Sequence, residues 1–256
     1  QIIMAANLTN EDCVLEVGPG RGALTAKLIE SEAGFIHAIE LDRDLVDGLN
    51  RRFHNEPRFS LKQGDILSVP LEPDNGKVIN KVVANIPYNI TGPLLKRLIG
   101  ELSNPPENRF QCLVLLMQKE VAERLVALPG DSSFSALSVR VQLMANCVNV
   151  CDVPAKCFQP VPKVDSSVIL LKPLLSDEQN LAGIGTFLDN LLKIAFSGRR
   201  KKLRNTIGSF VTSNVPIDDL AADVGISLEK RPQEISPSEW LALARALKVS
   251  FFNENV

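Results

Sequence analysis

Cys13-Val14-Leu15-Glu16-Val17-Gly18-Pro19-Gly20-Arg21-Gly22 decides how the chain is read. A mostly apolar run passes into a turn with three glycines. Residues 23–31 (ALTAKLIES) then set Leu24, Leu28 and Ile29 on one face at helical spacing. Buried strand, glycine turn and helix therefore follow one another, and the pattern continues outward. Phe35–Glu40 reads as a second strand, 43–53 as a helix and 58–63 as a third strand. Val78–Ala84 reads as a fourth strand, and 92–101 as a helix opening at Thr91-Gly92-Pro93, a cap followed by an early proline. Cys112–Met117 is a fifth strand, 118–128 and 134–145 are helices, and Val148–Val153 and Ser167–Leu171 are two closing strands. Such alternation implies right-handed crossovers and a mostly parallel sheet, an α/β fold whose ligands bind at the carboxyl ends of the strands. Beyond residue 173 strand-like runs stop, and helical patterns occupy 184–196, 199–208, 216–223 and 237–249. The expected organisation is an α/β domain over 1–173 and a small all-helical domain over 174–256. Gln1–Ala6 has helical character, so a further N-terminal piece is expected before Gln1.

The 256 residues are 45% hydrophobic and 23% charged, a globular balance that excludes disorder and collagen-like repeats. No apolar run approaches the ~18 residues of a membrane span. With 28 basic and 30 acidic residues the net charge is -2, so any nucleic-acid reading needs a local cause. The five cysteines (13, 112, 147, 151, 157) form no C-x-x-C pair, and their odd count suggests reduced thiols inside a cell. The two histidines, His37 and His54, lie far from them in sequence. No zinc site, no other metal and no Cys-His nucleophile is expected.

The unusual residues sit at strand ends. Glu16-Val17-Gly18-Pro19-Gly20-Arg21-Gly22 lets backbone turn tightly and approach a ligand, and a turn of this kind serves NAD, FAD, S-adenosylmethionine or no ligand at all. The spacing is one residue shorter than the dinucleotide fingerprint and is preceded by an acid, which favours S-adenosylmethionine. Glu40 ends the second strand, where a carboxylate accepts from both hydroxyls of a ribose; otherwise it is a solvated acid. Asp42 and Asp44 read as caps of the next helix. Gly64-Asp65-Ile66 ends the third strand, where Asp65 can accept from an adenine amine or simply form a turn. Asn85-Ile86-Pro87-Tyr88 ends the fourth and combines an amide, a rigid proline and the only tyrosine of the chain. The alternative is a plain turn with a partly buried ring.

Asn85-Ile86-Pro87-Tyr88 together with the glycine turn resembles the ribosomal RNA adenine N6,N6-dimethyltransferases, the KsgA family, to which the Erm enzymes of large-subunit RNA are related. Leu116–Ala122 (LMQKEVA), Cys157–Ser166 (CFQPVPKVDS) and Ala195–Asn205 (AFSGRRKKLRN) extend the resemblance, which runs from about residue 11 to 245. The last two segments favour the KsgA branch over Erm. The family's Gly-Gln-Asn/His-Phe-Leu segment, which closes over the cofactor, does not occur in the chain.

The resemblance implies a Rossmann-like methyltransferase domain, S-adenosylmethionine as methyl donor and S-adenosylhomocysteine as product. It places the cofactor at Glu16, Gly18, Gly20, Glu40, Leu41, Asp65, Ile66 and Asn85. Catalysis falls to Asn85, Ile86, Pro87, Tyr88 and Phe158. In this reading the Asn85 oxygen and the Ile86 carbonyl accept the two N6 hydrogens of an extruded adenine, Tyr88 stacks on one face of it, and Phe158 takes the other face or the pocket wall. Phe158 is otherwise ordinary core.

Residues 199–204 (RRKKLR) hold five basic residues in six, and removing these five from the 28 leaves 23 against 30 acidic ones. Arg199, Arg200, Lys201, Lys202 and Arg204 are thus candidates for RNA contact, with Arg140 and Lys163 extending the patch and Lys119 and Arg124 weaker. A solvated helix face is the competing view. The expected function is dimethylation of two adjacent adenines near the 3′ end of small-subunit ribosomal RNA, within ribosome biogenesis. The alternatives are an Erm-like large-subunit methylase and an assembly factor with little turnover. A monomer without membrane contact is expected, acting in the cytoplasm, or in a plastid or mitochondrion after removal of a transit peptide.

Overall fold

The computed structural model describes residues 1–106, 110–174, 181–208 and 216–253, with side chains up to residue 249. By internal contacts they fall into two units. Unit 1 comprises 1–99, 108–122 and 146–173, and unit 2 comprises 100–107, 123–145 and 174–256. One break between the units falls between Pro173 and Leu174. Two earlier segments, 100–107 and 123–145, also belong with the C-terminal helices by internal contacts.

Unit 1 is built on a seven-stranded sheet in the order β3-β2-β1-β4-β5-β7-β6. Its strands are β1 (Cys13–Val17), β2 (Phe35–Glu40), β3 (Phe59–Gln63), β4 (Lys81–Asn85), β5 (Cys112–Gln118), β6 (Ala145–Val153) and β7 (Ser166–Pro173). β1 pairs in parallel with β2 and β4, β2 with β3, and β4 with β5, while β7 runs antiparallel to β5. Central β1 and β2 are buried at every position, which explains why they read as continuous apolar runs rather than alternating ones. The parallel pairing brings the ends of β1 to β5 to one edge. The strand order reverses at β1, so a crevice opens there between the loops after β1 and β4.

Helices α2 (Ala23–Ile29), α3 (Arg43–Phe53) and α4 (Thr91–Ile99) follow β1, β2 and the β4 loop. Asp42 caps α3, its Oδ1 accepting from the backbone N–H groups of Asp44 and Leu45. A fourth helix, α1 (Ile2–Ala6), packs on β4, β5 and β7. Buried Lys81 fastens it: its Nζ donates to the carbonyls of Ala6 and Asn7 at 3.1 and 2.8 Å and to Asp12 Oδ2 at 2.9 Å. Burial pushes the Asp12 carboxyl up, but hydrogen bonds from Lys81, Thr9 and Asn80 outweigh it and hold the group below its ordinary range.

β4 begins at Lys81 rather than at Val78 as expected. Val78 is exposed, and the Asn80 side chain is engaged with Asp12 and with the N–H of Cys13. The helix expected at 134–145 is α6 (Ala136–Gln142), following α5 (Lys119–Val126), because pairing with β7 draws Ala145 into β6.

Unit 2 contains α6 together with α7 (Gly185–Ala195), α8 (Leu203–Ile207), α9 (Ile217–Asp223) and α10 (Pro237–Asn253). Trp240 is fully buried and lies 5.9 Å from the Phe196 ring. The helix expected at 199–208 shortens to α8: a 3-10 turn spans Phe196–Gly198, and Lys202 is extended (φ -66°, ψ 152°). The basic cluster therefore crosses a turn and is not one helical face.

Candidate active site

The turn after β1 takes its shape from glycines with positive φ at Gly18, Gly20 and Gly22 (61°, 59° and 78°). At Gly22 a Cβ would also meet Leu49 and Phe53 of α3 at 2.8 Å, so space as well as conformation excludes a side chain. Glu40 secures this turn from the end of β2. Its Oε2 accepts from the Gly20 N–H at 2.9 Å and its Oε1 from the Asp42 N–H at 3.0 Å. Each oxygen keeps a lone pair for a further donor. The N–H of Gly64 reaches the Glu40 carbonyl, which brings Asp65 beside it at the end of β3.

Three adjoining cavities follow this edge of the sheet. The largest, about 1150 Å³, is lined by Glu16, Gly18, Gly20, Asn85 and Phe158 among others. A second of about 340 Å³ is lined by Asn85, Ile86, Pro87, Tyr88 and Phe158, with Pro160 and Pro162. The third, about 240 Å³, has Gly18, Glu40, Leu41, Asp65, Ile66 and Pro87 in its wall. Every residue expected at the cofactor or in catalysis thus lines at least one of them. Asn85 and Phe158 are shared by the first and second, Gly18 by the first and third, and Pro87 by the second and third. A Cβ on Gly18 would lie 3.5 Å from Pro87, so the loops after β1 and β4 nearly touch.

Glu16 carries the clearest electrostatic signal. It is fully buried, and neither carboxylate oxygen has a hydrogen-bond partner among the described residues. Burial pushes the carboxyl up to about 8; the charge of Glu40 adds to this, and the nearby Thr25 hydroxyl opposes it without closing a well-formed hydrogen bond. A buried carboxylate with open lone pairs on a cavity wall suits a cationic or N–H donor of a ligand. In the third cavity Leu41 is 68% exposed beside buried Ile66, apolar surface suited to a flat ring.

The β4 loop is held by hydrogen bonds at both ends. The Ile86 N–H continues the ladder to Leu116 and buries the Ile86 side chain, while Asn85 is exposed with no side-chain partner among the described residues. Tyr88 opens a 3-10 turn running into α4; Ile90 N–H bonds to the Pro87 carbonyl, and the Tyr88 phenol meets Ser166 Oγ at 2.7 Å. Cavity, amide and ring together can seat a planar, amine-bearing base.

The expected RNA-contacting residues behave differently. Arg199 donates to the carbonyls of Ser132 and Phe134, Lys202 pairs with Glu229 at 2.5 Å, and Arg204 pairs with Asp218 and Glu229. Arg140 pairs with Asp189 at 2.6 Å and Lys119 with Asp152 at 2.6 Å. Arg200, Lys201 and Lys163 are exposed with no partner among the described residues. Arg124 lies on α5 and also has a partner. Sequence reasoning missed the wall contributed by Gln1, Ile2 and Ile3 of the N-terminal segment, and also the Ser166 contact. Among the described residues no group of three or more His, Cys, Asp or Glu could hold a metal ion, and no helix is long and apolar enough to cross a membrane.

Known proteins share this fold. The dimethyladenosine transferase from Plasmodium falciparum superposes with a TM-score of 0.81 at 29% identity, covering 98% of this chain and 94% of that one. The 23S rRNA methyltransferase ErmE has a TM-score of 0.69 at 24% identity over 96% and 95% of the two chains, a likeness of fold alone. Ribosomal RNA small subunit methyltransferase A of Prochlorococcus marinus (strain NATL1A) is 68% identical over 255 residues, 100% of this chain and 88% of that protein. The family model described as ribosomal RNA adenine dimethylase matches residues 1–248. Since that match spans both the strand-end cavities and most of the helical unit, the chain belongs to the ribosomal RNA adenine dimethylase family.

Proposed function

We propose that the protein transfers methyl groups from S-adenosylmethionine to the N6 amines of two adjacent adenines near the 3′ end of small-subunit ribosomal RNA, giving N6,N6-dimethyladenosine. One observation carries this reading: the Asn85-Ile86-Pro87-Tyr88 loop lines a base-sized cavity that adjoins, through Asn85 and Pro87, the two cavities below the glycine turn. The residues of those two cavities fit the cofactor. Glu16 supplies the open buried carboxylate for its ammonium group, Glu40 the lone pairs for two ribose hydroxyls, Asp65 an acceptor for the adenine amine, and Leu41 and Ile66 the apolar walls for its ring. When bound, the cofactor supplies an electrophilic methyl group on a sulfonium.

The chain's own task is to make a poor nucleophile attack. The N6 lone pair of adenine is delocalised into the ring. Accepting one N6 hydrogen at Asn85 Oδ1 and the other at the Ile86 carbonyl draws the nitrogen towards tetrahedral geometry and frees that pair. Positioning and preorganised dipoles of this kind are each worth several kcal/mol. Tyr88 and Phe158 hold the extruded base by stacking, at ~1–3 kcal/mol per base. We assign RNA capture in the helical unit to Arg200 and Lys201, and beside the second cavity to Lys163, because these cations are not engaged by carboxylates.

The test is transfer of labelled methyl to undermethylated small ribosomal subunits, with large subunits and naked RNA alongside. Label recovered as N6,N6-dimethyladenosine in the small subunit is expected. Label confined to large-subunit RNA gives the Erm-like reading, and binding without transfer gives the assembly factor; either overturns the proposal.

A further inference from the structure

We propose that Ser166 is a positioning residue that holds the Tyr88 ring and thereby secures the second of the two methyl transfers. The inference rests on the function proposed above.

Ser166 opens β7 opposite Gln118 of β5 and is fully buried. The strand continues through Val168, Ile169 and Leu171, all essentially inaccessible, so an apolar side chain would suit the packing at its start. A buried hydroxyl costs stability unless it is hydrogen-bonded. Ser166 meets this demand with one partner, the phenol of Tyr88, at 2.7 Å and 78 residues away in sequence. Its neighbour Ser167 points to the other side of the pleat, where its hydroxyl meets Asp152 Oδ1 at 2.7 Å. The two serines are thus not interchangeable: Ser166 meets Tyr88, which lines the base-sized cavity together with Asn85 and Phe158, and Ser167 meets Asp152.

The backbone of the Tyr88 turn is already fixed, with Ile90 N–H on the Pro87 carbonyl and the Thr91 hydroxyl on the Tyr88 carbonyl. What remains free is the ring, and Tyr88 is only half-buried. The bond to Ser166 ties the ring across β5 to β7 and sets the plane on which a base stacks.

The two transfers use that plane unequally. In the first, the N6 lone pair forms the new N–C bond as the methyl–sulfur bond breaks, the electron pair stays on sulfur, and one N6 proton leaves to water. Two N–H groups orient the amine at its start, one for Asn85 and one for the Ile86 carbonyl. The second transfer repeats these steps with a fresh donor molecule, but the amine now holds one N–H and one methyl. One orienting hydrogen bond is gone, so stacking carries more of the alignment. A ring free to swing therefore slows the second transfer more than the first.

The experiment compares Ser166→Ala, Tyr88→Phe and the double variant with wild type in the full chain, on undermethylated small subunits. N6-methyladenosine and N6,N6-dimethyladenosine are separated by nucleoside mass spectrometry at early turnover, and the KM for S-adenosylmethionine and the Tm are measured alongside. Each single variant is expected to raise the monomethyl-to-dimethyl ratio about fivefold, the worth of one hydrogen bond, with the KM for the donor unchanged. The double variant should match the singles, because both remove the same bond. A wild-type ratio in Ser166→Ala with only a lower Tm overturns the proposal and leaves Ser166 structural. Effects that multiply in the double variant overturn it too. Should Ser166→Ala fail to fold, Tyr88→Phe removes the bond from the solvent side and decides alone. Failure of wild type to form dimethyladenosine strikes the functional reading instead, which the wild-type arm separates from the Ser166 result.

Discussion

The carboxyl edge of the sheet and the basic segment at 199–204 were both marked out in sequence by unusual residues, yet they fold to opposite effect. At the sheet edge, Glu16, Glu40, Asp65 and Asn85 come from four separate strand ends and line adjoining cavities. In the basic segment, adjacent cations scatter: Arg199 binds backbone carbonyls, Lys202 and Arg204 face carboxylates, and Arg200 and Lys201 remain exposed. A strand end is placed by topology, which alternation reveals. The destination of a long charged side chain is decided by whichever acid or carbonyl the tertiary fold puts within reach.

The comparison is broken most decisively at Asn85. Asn85→Ala should lower kcat for methyl transfer by about 10²–10³-fold, as for loss of a single preorganised polar group in other enzymes. Labelled-methyl kinetics check it, and a fall below tenfold would remove Asn85 from the chemistry. Gly22→Ala should destabilise the protein by about 2–4 kcal/mol, since it combines a positive φ with a steric clash against α3. Urea denaturation with and without S-adenosylhomocysteine measures it.

Glu16→Gln should weaken S-adenosylhomocysteine binding about tenfold by calorimetry, through loss of a charge-assisted hydrogen bond. It should also change the pH dependence of stability. The folded carboxyl is pushed from its ordinary 4.5 up to about 8, so between these values the folded state binds more protons than the unfolded one. The stability of the ligand-free protein therefore falls as pH rises from about 4.5 to 8, and Glu16→Gln should flatten that slope in thermal melts across the window.

The smallest effect sharpens the contrast from the other side. Arg200→Ala/Lys201→Ala should reduce the salt slope of RNA binding by about 2 with the Tm unchanged. Lys202→Ala/Arg204→Ala should move the slope less and lower the Tm, because these cations tie α8 to Glu229 and Asp218.

Sequence made the site legible wherever a residue's place in a cavity wall follows from its position at a strand end. The turn glycines, Glu40, Asp65 and the Asn85 loop all belong to that class. Strand limits were less legible: Val78 belongs by composition to β4 but lies outside it, because Asn80 and Lys81 are drawn to Asp12. Ser166 stands in the sequence only as the end of the 157–166 motif, and its partner 78 residues away leaves no local signature. Lys81 was hidden in the same way; a lysine at the head of a strand gives no sign that it is buried and holds the end of α1. The helical unit was legible as helices, but not in its inclusion of 100–107 and 123–145, since only tertiary contacts assign those segments.

The proposed division of labour gives the chemistry to the sheet edge and capture to the free cations of the helical unit. Single-turnover methyl transfer at increasing enzyme over a fixed amount of undermethylated small subunits tests it most directly. Arg200→Ala/Lys201→Ala should reach the wild-type rate once enzyme saturates the subunits, while Asn85→Ala should stay at least a hundredfold slow at every concentration. A basic-segment variant that remains as slow as Asn85→Ala at saturation, or an Asn85→Ala that saturates at the wild-type rate, would contradict it.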